Sequence, residues 1–500
     1  MRAVLITLHF FGMGYFLNEL SQIRYISPCI YGFDHAKSRA RNTEARIIGS
    51  AVAAIIAPFV WIMFRMGKKN TLIVANLIMI IGSIINLFPY FILLVLGRVA
   101  KAISIIIICC TAPLLLRDIG GTEHRGPYLA LINVFNSLGF LTCMFVGFLI
   151  PEIKIKLGLD YYCRITKFDD IGWRIVLSFP LILSVLQIIG LMCCFENQFN
   201  AKKVHKDYSI RSSLQTIENF DRRKDMKKFY SFRLEEEEEK NCSYSIYTGS
   251  HTVETSTHSI ESDTESYQHI FSSKGIRPLV AGCLMHAFLH FSGVNLIFSY
   301  SYYYQLKIGP ERLTWRLILA LINFFMSFVG VYFAKIFRRK PVVLIATIIA
   351  CALNCFLFQL FEDPKAEDER YKHVARTMST VLVIVFAIVF TTTIGPFTWV
   401  YSAEILNDKG MCMAICVNWG LYTVISALPT IAIYIKSSPN PFTDGIENVG
   451  IFFFLFSGAS MLLFFLIIVF ARESKGLPRM LIERRFHDKS YNTVARTSTF

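Results

Sequence analysis

The sequence has few charged residues for its length. Only 17% of its 500 residues are Asp, Glu, Lys or Arg, while 54% are hydrophobic and the mean hydropathy is +0.47. A soluble chain of ordinary composition carries about 25% charged residues. This shortage excludes a large water-soluble domain and predicts a membrane protein. The net charge of +15 is spread over many loops, which does not favour binding to a nucleic acid.

The sequence also lacks the patterns that disulfide, metal and nucleophile chemistry require. Most of the thirteen cysteines lie inside apolar runs, where they act as small hydrophobic residues. Cys29 and Cys163, in two loops on one side, leave room for a single disulfide. His286 and His290 are four residues apart, but no third metal ligand accompanies them. We therefore expect neither an enzyme nor a bound metal or cofactor.

What the sequence does contain is a series of apolar runs near 20 residues long, the length that crosses a bilayer as a helix. They predict an all-α membrane protein with twelve transmembrane helices, arranged as six, a gap and six. The runs lie near residues 3–21, 47–65, 70–88, 91–114, 128–150, 174–195, 278–302, 315–337, 341–361, 378–402, 412–435 and 449–471.

Four segments follow from this division: a six-helix bundle over 1–195, a linker over 196–277, a second bundle over 278–471 and a tail over 472–500. The linker is basic, then acidic, then rich in Ser and Thr, and such a composition cannot bury a core. Basic residues occur in the short loops on both sides of the membrane. A cytosolic location of both termini therefore rests mainly on the linker and the tail.

Charged residues recur at matching helix ends in the two halves. In the first half Asp118 ends a span and Arg125 follows it; in the second half Glu404 ends a span and Lys409 follows it. A carboxylate and a base that bracket a short loop can pair across the helix ends and hold a gate. Their recurrence in two six-helix halves is typical of a secondary transporter.

These motifs resemble the sugar porter family of the major facilitator superfamily, the group that includes the facilitative hexose transporters. The family implies two pseudo-symmetric six-helix bundles, the major facilitator fold, which rock around a central sugar site. It also implies a gating role for a set of charged residues. The matching segments are Gly67-Lys68-Lys69, Gly97-Arg98 to Arg125-Gly126, Trp173-Arg174, Ser292-Gly293-Val294-Asn295 with Tyr300, Arg338-Arg339-Lys340, Gly395-Pro396 to Glu404, Asn418-Trp419 and Glu473-Ser474-Lys475-Gly476. The gating set is Arg98, Asp118, Arg125, Glu196, Arg339, Glu404, Lys409 and Glu473.

The resemblance also implies a set of sugar-binding residues. Amides suit a polyol because hydroxyl groups both donate and accept hydrogen bonds, and an indole suits the apolar face of a sugar. Asn323, in an apolar span, would equally serve as a hydrogen-bonding link between helices. The expected binding residues are Asn133, His290, Asn295, Asn323, Trp399, Asn418 and Trp419.

The sequence departs from the family at several of these positions. Asn133 stands where the family has a longer glutamine, and Leu289-His290 replaces a glutamine pair. Phe16 stands where proton-coupled members carry an aspartate, which favours a facilitator over a symporter. Glu19 lies near one end of the first span, where an expected reach of its carboxylate to the membrane surface explains it at least as well as a function does.

The sequence therefore predicts a monomeric, multi-pass protein, most simply of the plasma membrane, that contacts lipids and carries a hexose or a related polyol down its gradient. Two alternatives stay open. One is a proton-coupled symporter of the same fold, and the other is a receptor that binds sugar without transporting it and signals through the 196–277 linker.

The linker gives a test of orientation. Asn241-Cys242-Ser243 is an acceptor sequence for N-glycosylation, but a cytosolic linker never meets the glycosylating enzymes. We expect no glycan on Asn241 after expression in a eukaryotic cell, and no cleavage of the linker by protease added to sealed cells. A glycan on Asn241, detected as a mobility shift that a glycosidase removes, would reverse the orientation.

Overall fold

The structure is a computed structural model of the whole chain. It describes residues 2–23, 27–31, 35–149, 167–194, 275–295, 297, 312–362, 369–435, 449–477, 481–482 and 485–486. The expectations about Cys163, Glu196, Asn241, Tyr300 and the rest of the linker lie outside these residues.

Every regular element among the described residues is helical, as the composition predicts. Eleven helices of the described part are long and apolar enough to cross a membrane, and a shorter apolar helix occupies the seventh expected segment. In chain order the helices are α1 (Arg2–Gln22), α2 (Arg41–Met66), α3 (Lys68–Ile85), α4 (Phe91–Gly120), α5 (Arg125–Gly147), α6 (Ile171–Cys193), α7 (Ile276–Phe291), α8 (Trp315–Ile336), α9 (Arg339–Leu360), α10 (Thr377–Ile405), α11 (Asp408–Leu428) and α12 (Phe452–Phe470).

Two of these helices depart from regular α-helical geometry near a proline. The end of α2 is a 3₁₀ segment, Ala57–Met66, with a proline in its first turn. In α10 a π-helical segment, Phe390–Ile394, precedes Gly395 and Pro396. Proline has no N–H and its ring crowds the carbonyl four residues earlier, so in α10 the turn before Pro396 widens into the π-helical segment. The widened turn leaves backbone carbonyls of α10 available to other groups.

The helices pack as two related halves. In the first half α1 packs closely on α5, and in the second the equivalent helices α7 and α11 pack together. In addition, α3 packs on α4 and α9 packs on α12. The main contacts between the halves are α2 with α11 and α5 with α8. If each helix is replaced by the helix six places away in chain order, the contact of α2 with α11 becomes the contact of α8 with α5. The contact pattern is therefore that of a pseudo-two-fold fold built from two six-helix repeats.

Close packing within the first half depends on glycine. A side chain at Gly14 of α1 would collide with the carbonyl of Asn136 in α5, and one at Gly139 of α5 would collide with the carbonyl of Phe11 in α1. The two helix backbones are therefore in direct contact, as small residues allow in membrane helix pairs.

A buried cluster of three charged residues ties α1 to α4. Arg98 donates to Glu19 over 2.8 Å, and Lys101 donates to both oxygens of the same carboxylate, over 3.2 and 3.0 Å. All three side chains are at most 1% exposed. Lys101 also donates to the carbonyl of Leu177 in α6 over 2.8 Å. The expectation that Glu19 reaches the membrane surface is therefore wrong, because two cations of α4 draw its carboxylate into the bundle.

This cluster predicts a large effect on stability when Glu19 is neutralised. Glu19→Gln leaves two buried cations without an anion, and removal of one partner of a buried ion pair costs about 3–5 kcal/mol. We expect a marked fall in the thermal stability of the purified protein. Size-exclusion chromatography after heating measures this fall.

Glu44→Gln is the matched control, because Glu44 pairs with Arg41 at the surface, where both side chains are more than 40% exposed. An exposed pair contributes about 0–1 kcal/mol, so this variant should melt close to the wild type. Equal losses in the two variants would contradict a structural role of the buried cluster.

Candidate substrate site and gate

A hydrogen-bonded network joins α7 and α11. Nε2 of His290 lies 2.9 Å from Oδ1 of Asn418, and Nδ2 of Asn295 lies 2.9 Å from Nδ1 of His290. His290 and Asn418 are buried, at 5% and 3% exposure. The network therefore brings together three of the residues that the sequence predicts for sugar binding.

The backbone after α7 creates this arrangement. Gly293 has a φ of +89°, a conformation that suits glycine, and it ends the regular helix. A side chain at Gly293 would also come within 2.8 Å of Oδ1 of Asn354 in α9. Asn354 donates to the carbonyl of Ser292 over 2.9 Å and thereby holds the turn. The turn carries Asn295 back to His290, five residues earlier.

Trp399 lies beside this network, at the boundary between the halves. Its ring centroid is 5.5 Å from the ring of His286 in α7 and 5.2 Å from the ring of Phe10 in α1, both edge to face. His286 is fully buried, and neither of its ring nitrogens has a hydrogen-bond partner among the described residues. An orphaned imidazole is costly, so the surroundings of His286 suit a ligand with polar groups.

Trp419 forms a second aromatic contact across the halves. Its ring centroid lies 6.4 Å from Phe16 of α1 and 5.7 Å from Tyr422, one turn along α11. The guanidinium of Arg98 lies over the ring of Phe16, 3.4 Å from the ring centroid. The sequence predicts Arg98 as a gate residue. In the structure it contacts Glu19 and Phe16 of its own half, beside the contact between Phe16 and Trp419.

Asn133 and Asn323 belong to another group of contacts, around the π-helical segment of α10. Nδ2 of Asn133 in α5 donates to the carbonyl of Thr391 over 3.1 Å, and the hydroxyl of Thr391 donates to Oδ1 of Asn323 in α8. Nδ2 of Asn323 donates to the carbonyl of Leu319 over 2.9 Å. Both ends of the Asn323 amide therefore bond within the protein, as in a link between helices. The Asn133 amide bonds through its nitrogen in the described part of the chain.

Charged residues connect the halves where α4 and α10 end and α5 and α11 begin, which we call the gate end. Arg117 of α4 donates to the carbonyl of Leu406 over 2.8 Å and lies 3.5 Å from Asp408 at the start of α11. Lys68 lies 2.9 Å from Asp118 and 3.4 Å from Asp408. The described contacts thus join the two halves at the gate end.

The second half has its own ion pair at the gate end. Arg339 of α9 lies 2.9 Å from Glu404, and Ser474 donates to the same carboxylate over 2.6 Å. Glu473 accepts the backbone N–H groups of Arg339 and Lys340 over 3.0 and 3.1 Å. This carboxylate therefore caps the first turn of α9, where free N–H groups attract an anion.

The described contacts give two carboxylates of the gate end partners that the sequence did not predict. Asp118 is held by Lys68 and Arg117, and Glu404 is held by Arg339 and Ser474. The ammonium of Lys409 lies 4.6 Å from the ring centroid of Trp61 in α2. A side chain at Gly126, next to Arg125, would collide with the guanidinium of Arg339, so α5 approaches this arginine closely.

Sequence reasoning missed four charged residues of this account. Lys68 and Arg117 lie in the matching segments but were not assigned to the gate. Asp408 bridges the halves, and an acid in the first turn of α11 was a signal for it. Lys101 completes the buried cluster, and its position one turn after Arg98 in an apolar span indicated that a buried anion was needed nearby.

Comparisons with known proteins agree with the fold. Hexose transporter 1 of Plasmodium vivax is 23% identical over 444 residues, which cover 86% of this chain and 79% of that protein. Facilitated glucose transporter member 2 of Sus scrofa is 24% identical over 457 residues, covering 88% and 76%. The structure of the proton:xylose symporter XylE bound to 6-bromo-6-deoxy-D-glucose, a protein from E. coli, superposes with a TM-score of 0.69 at 15% identity, covering 97% of this chain and 98% of that one.

A family model decides the classification. The model described as "Sugar (and other) transporter" matches residues 31–486, which include both halves, the gate end and the network around His290. The fold is that of the major facilitator superfamily, with two related six-helix halves. The chain therefore belongs to the sugar transporter family of this superfamily.

Proposed function

We propose that this protein carries a hexose or a related polyol across the membrane by facilitated diffusion, with its two halves rocking around a site between them. The observation that carries the proposal is the network of His290, Asn295 and Asn418 beside the indole of Trp399 and the unpartnered imidazole of His286. These groups offer donors, acceptors and an aromatic face without a net charge, which suits a neutral polyol.

The state described here has its gate end closed. With the linker in the cytosol, this end faces the cytosol, and the protein is ready to receive sugar from the other side. We assign it to the plasma membrane as a monomer surrounded by lipid. Sugar release then requires that the contacts of Lys68 and Arg117 with Asp408 open.

Proton symport is the second candidate, and one observation favours it: Glu19 is a carboxylate buried inside the first half. However, Glu19 has two cationic partners and a structural position between α1 and α4. Phe16, which occupies the position of the family's aspartate, lies under Arg98. We therefore favour transport without a proton.

The deciding experiment uses purified protein in liposomes and a panel of labelled sugars, with and without a protonophore. We expect uptake that equilibrates the sugar and does not change when the protonophore collapses a pH gradient. Concentrative uptake that the protonophore abolishes would establish a symporter. Saturable binding of a sugar without uptake would favour a receptor instead.

The site makes a prediction for two substitutions. Asn295→Ala removes an amide of the network, and Trp399→Ala removes the aromatic face. Loss of a buried hydrogen-bond partner costs about 1–3 kcal/mol, which is roughly five- to 150-fold in affinity. We expect a rise in KM of that order for the transported sugar.

Asn70→Ala is the control, because the Asn70 amide bonds to the carbonyl of Met66 at an exposed position outside the network. Surface expression of all three variants is measured by labelling in intact cells. An unchanged KM for every sugar in Asn295→Ala would remove this network from the substrate site.

The gate makes a second prediction, with a closely matched pair of variants. Asp408 and Asp118 both contact Lys68 and Arg117, and they are equally exposed, at 40% and 39%. Only Asp408 belongs to the opposite half from these cations. Asp408→Asn should therefore favour the open gate by about 0.2–1 kcal/mol for each ion pair that it removes, whereas Asp118→Asn should not.

The opening is measured by the rate at which a membrane-permeant maleimide modifies Cys412, a buried thiol one turn into α11. Mass spectrometry of the peptide follows the modification. Faster modification in Asp408→Asn than in Asp118→Asn is the expected outcome, and equal rates would show that Asp408 does not hold the halves together.

A further inference from the structure

The imidazole of His290 uses both ring nitrogens on amide side chains. Nδ1 faces the amide nitrogen of Asn295, which can only donate, and Nε2 faces the amide oxygen of Asn418, which can only accept. Both contacts are 2.9 Å long. One tautomer of a neutral imidazole satisfies both bonds, the tautomer with the proton on Nε2.

A neutral imidazole has one donor and one acceptor, so the two amides around it must turn opposite ends to the ring. If both amides were rotated by 180°, the other tautomer would satisfy the contacts equally. If only one amide rotated, two donors or two acceptors would face each other. His290 therefore couples the orientation of Asn295 to that of Asn418, which a purely apolar residue could not do.

We infer that His290 is a positioning residue which, as the neutral Nε2–H tautomer, presents the free oxygen of Asn295 and the free nitrogen of Asn418 to the sugar. This inference rests on the proposed function and refines it. In the described contacts the Asn295 amide bonds through Nδ2 and the Asn418 amide through Oδ1, and the imidazole of His286 also lies near the Asn418 amide. Once His290 has taken these ends of the two amides, Oδ1 of Asn295 and Nδ2 of Asn418 are what the network has left for a ligand.

The arrangement specifies the hydroxyl groups that the site accepts. The sugar must donate a hydrogen bond to Asn295 and accept one from Asn418. A hydroxyl group can do both, whereas a fluorine substituent cannot donate and a hydrogen substituent can do neither. We expect fluorine to be tolerated better than hydrogen at the sugar position that faces Asn418. At the position that faces Asn295, both replacements should weaken transport equally.

The tautomer is tested without any sugar, by nitrogen-15 NMR of protein labelled at histidine and reconstituted in lipid. The chain has 11 histidines, and the signals missing from a His290→Gln sample identify those of His290. We expect a protonated Nε2 and an unprotonated Nδ1. A protonated Nδ1, or a doubly protonated ring, would overturn the inference and would leave the proposed sugar transport untouched.

The positioning role is tested by transport kinetics of the sugar that the wild type carries. His290→Leu should raise KM about tenfold or more with a smaller change in kcat, because both amides lose their orientation. His290→Gln should recover most of that loss, since a glutamine amide also offers one acceptor and donors. A Gln variant as weak as the Leu variant would contradict the role.

A double-mutant cycle separates positioning from direct contact. If His290 acts through Asn418, then His290→Leu should raise KM by a smaller factor in an Asn418→Ala background than in the wild type. Equal factors in the two backgrounds would mean that the imidazole binds the sugar itself. If the wild type transports no sugar, the proposed function fails, and the NMR result still decides the tautomer.

Discussion

A polar group inside a membrane protein is costly unless another group of the protein bonds to it, and this cost organises the structure. Glu19 shows the constraint most clearly, because its carboxylate is fully buried and accepts hydrogen bonds from both Arg98 and Lys101. The two cations belong to α4 and the carboxylate to α1, so the cluster fixes one helix against the other. Lys101 extends the connection to α6 through the carbonyl of Leu177.

The polar groups between the halves satisfy this constraint only in part. His290 is bonded through both ring nitrogens, but His286 has no partner among the described residues, and Asn295 and Asn418 each use one end of the amide. Incomplete bonding is what a binding site requires, because a ligand gains the bonds that the protein leaves unmade. The contrast with the Glu19 cluster separates the polar groups that hold a half together from those that we propose as the substrate site.

The ionic contacts within a half are stronger than those between the halves. Within the first half, the buried pair of Glu19 and Arg98 is at most 1% exposed. Between the halves, the contacts of Asp408 with Lys68 and Arg117 are longer, and the carboxylate is 40% exposed. Solvent weakens contacts of the second kind. Rigid halves joined by weak contacts are suited to a rocking motion that breaks only the contacts between them.

Much of the fold could be predicted from the sequence because it depends on properties of single segments. The length and apolar character of each run predict a membrane helix, and the motifs around Gly395-Pro396 and Asn418-Trp419 indicate the family. The partners of charged residues could not be predicted in this way. Asp118 pairs with Lys68, fifty positions away, because α3 and α4 pack side by side.

The candidate site could be predicted in part from the sequence. The residue types of the network, including His290 and Asn295, were predicted from their positions in the family pattern. Their bonding depends on the turn at Gly293 and its support by Asn354, which no local pattern in the sequence indicates. Asn133 and Asn323 both bond to Thr391, in the widened turn of α10, and this contact likewise has no local signal in the sequence.

The central claim, that one site alternates between the two sides of the membrane, is tested most directly by counterflow. Liposomes that contain the purified protein are loaded with an unlabelled sugar and diluted into a trace of the labelled sugar, with the same pH on both sides. The account predicts a transient accumulation of label above its external concentration, followed by decay to equilibrium. Label that only approaches the external concentration, or enters only when a proton gradient is imposed, would contradict it.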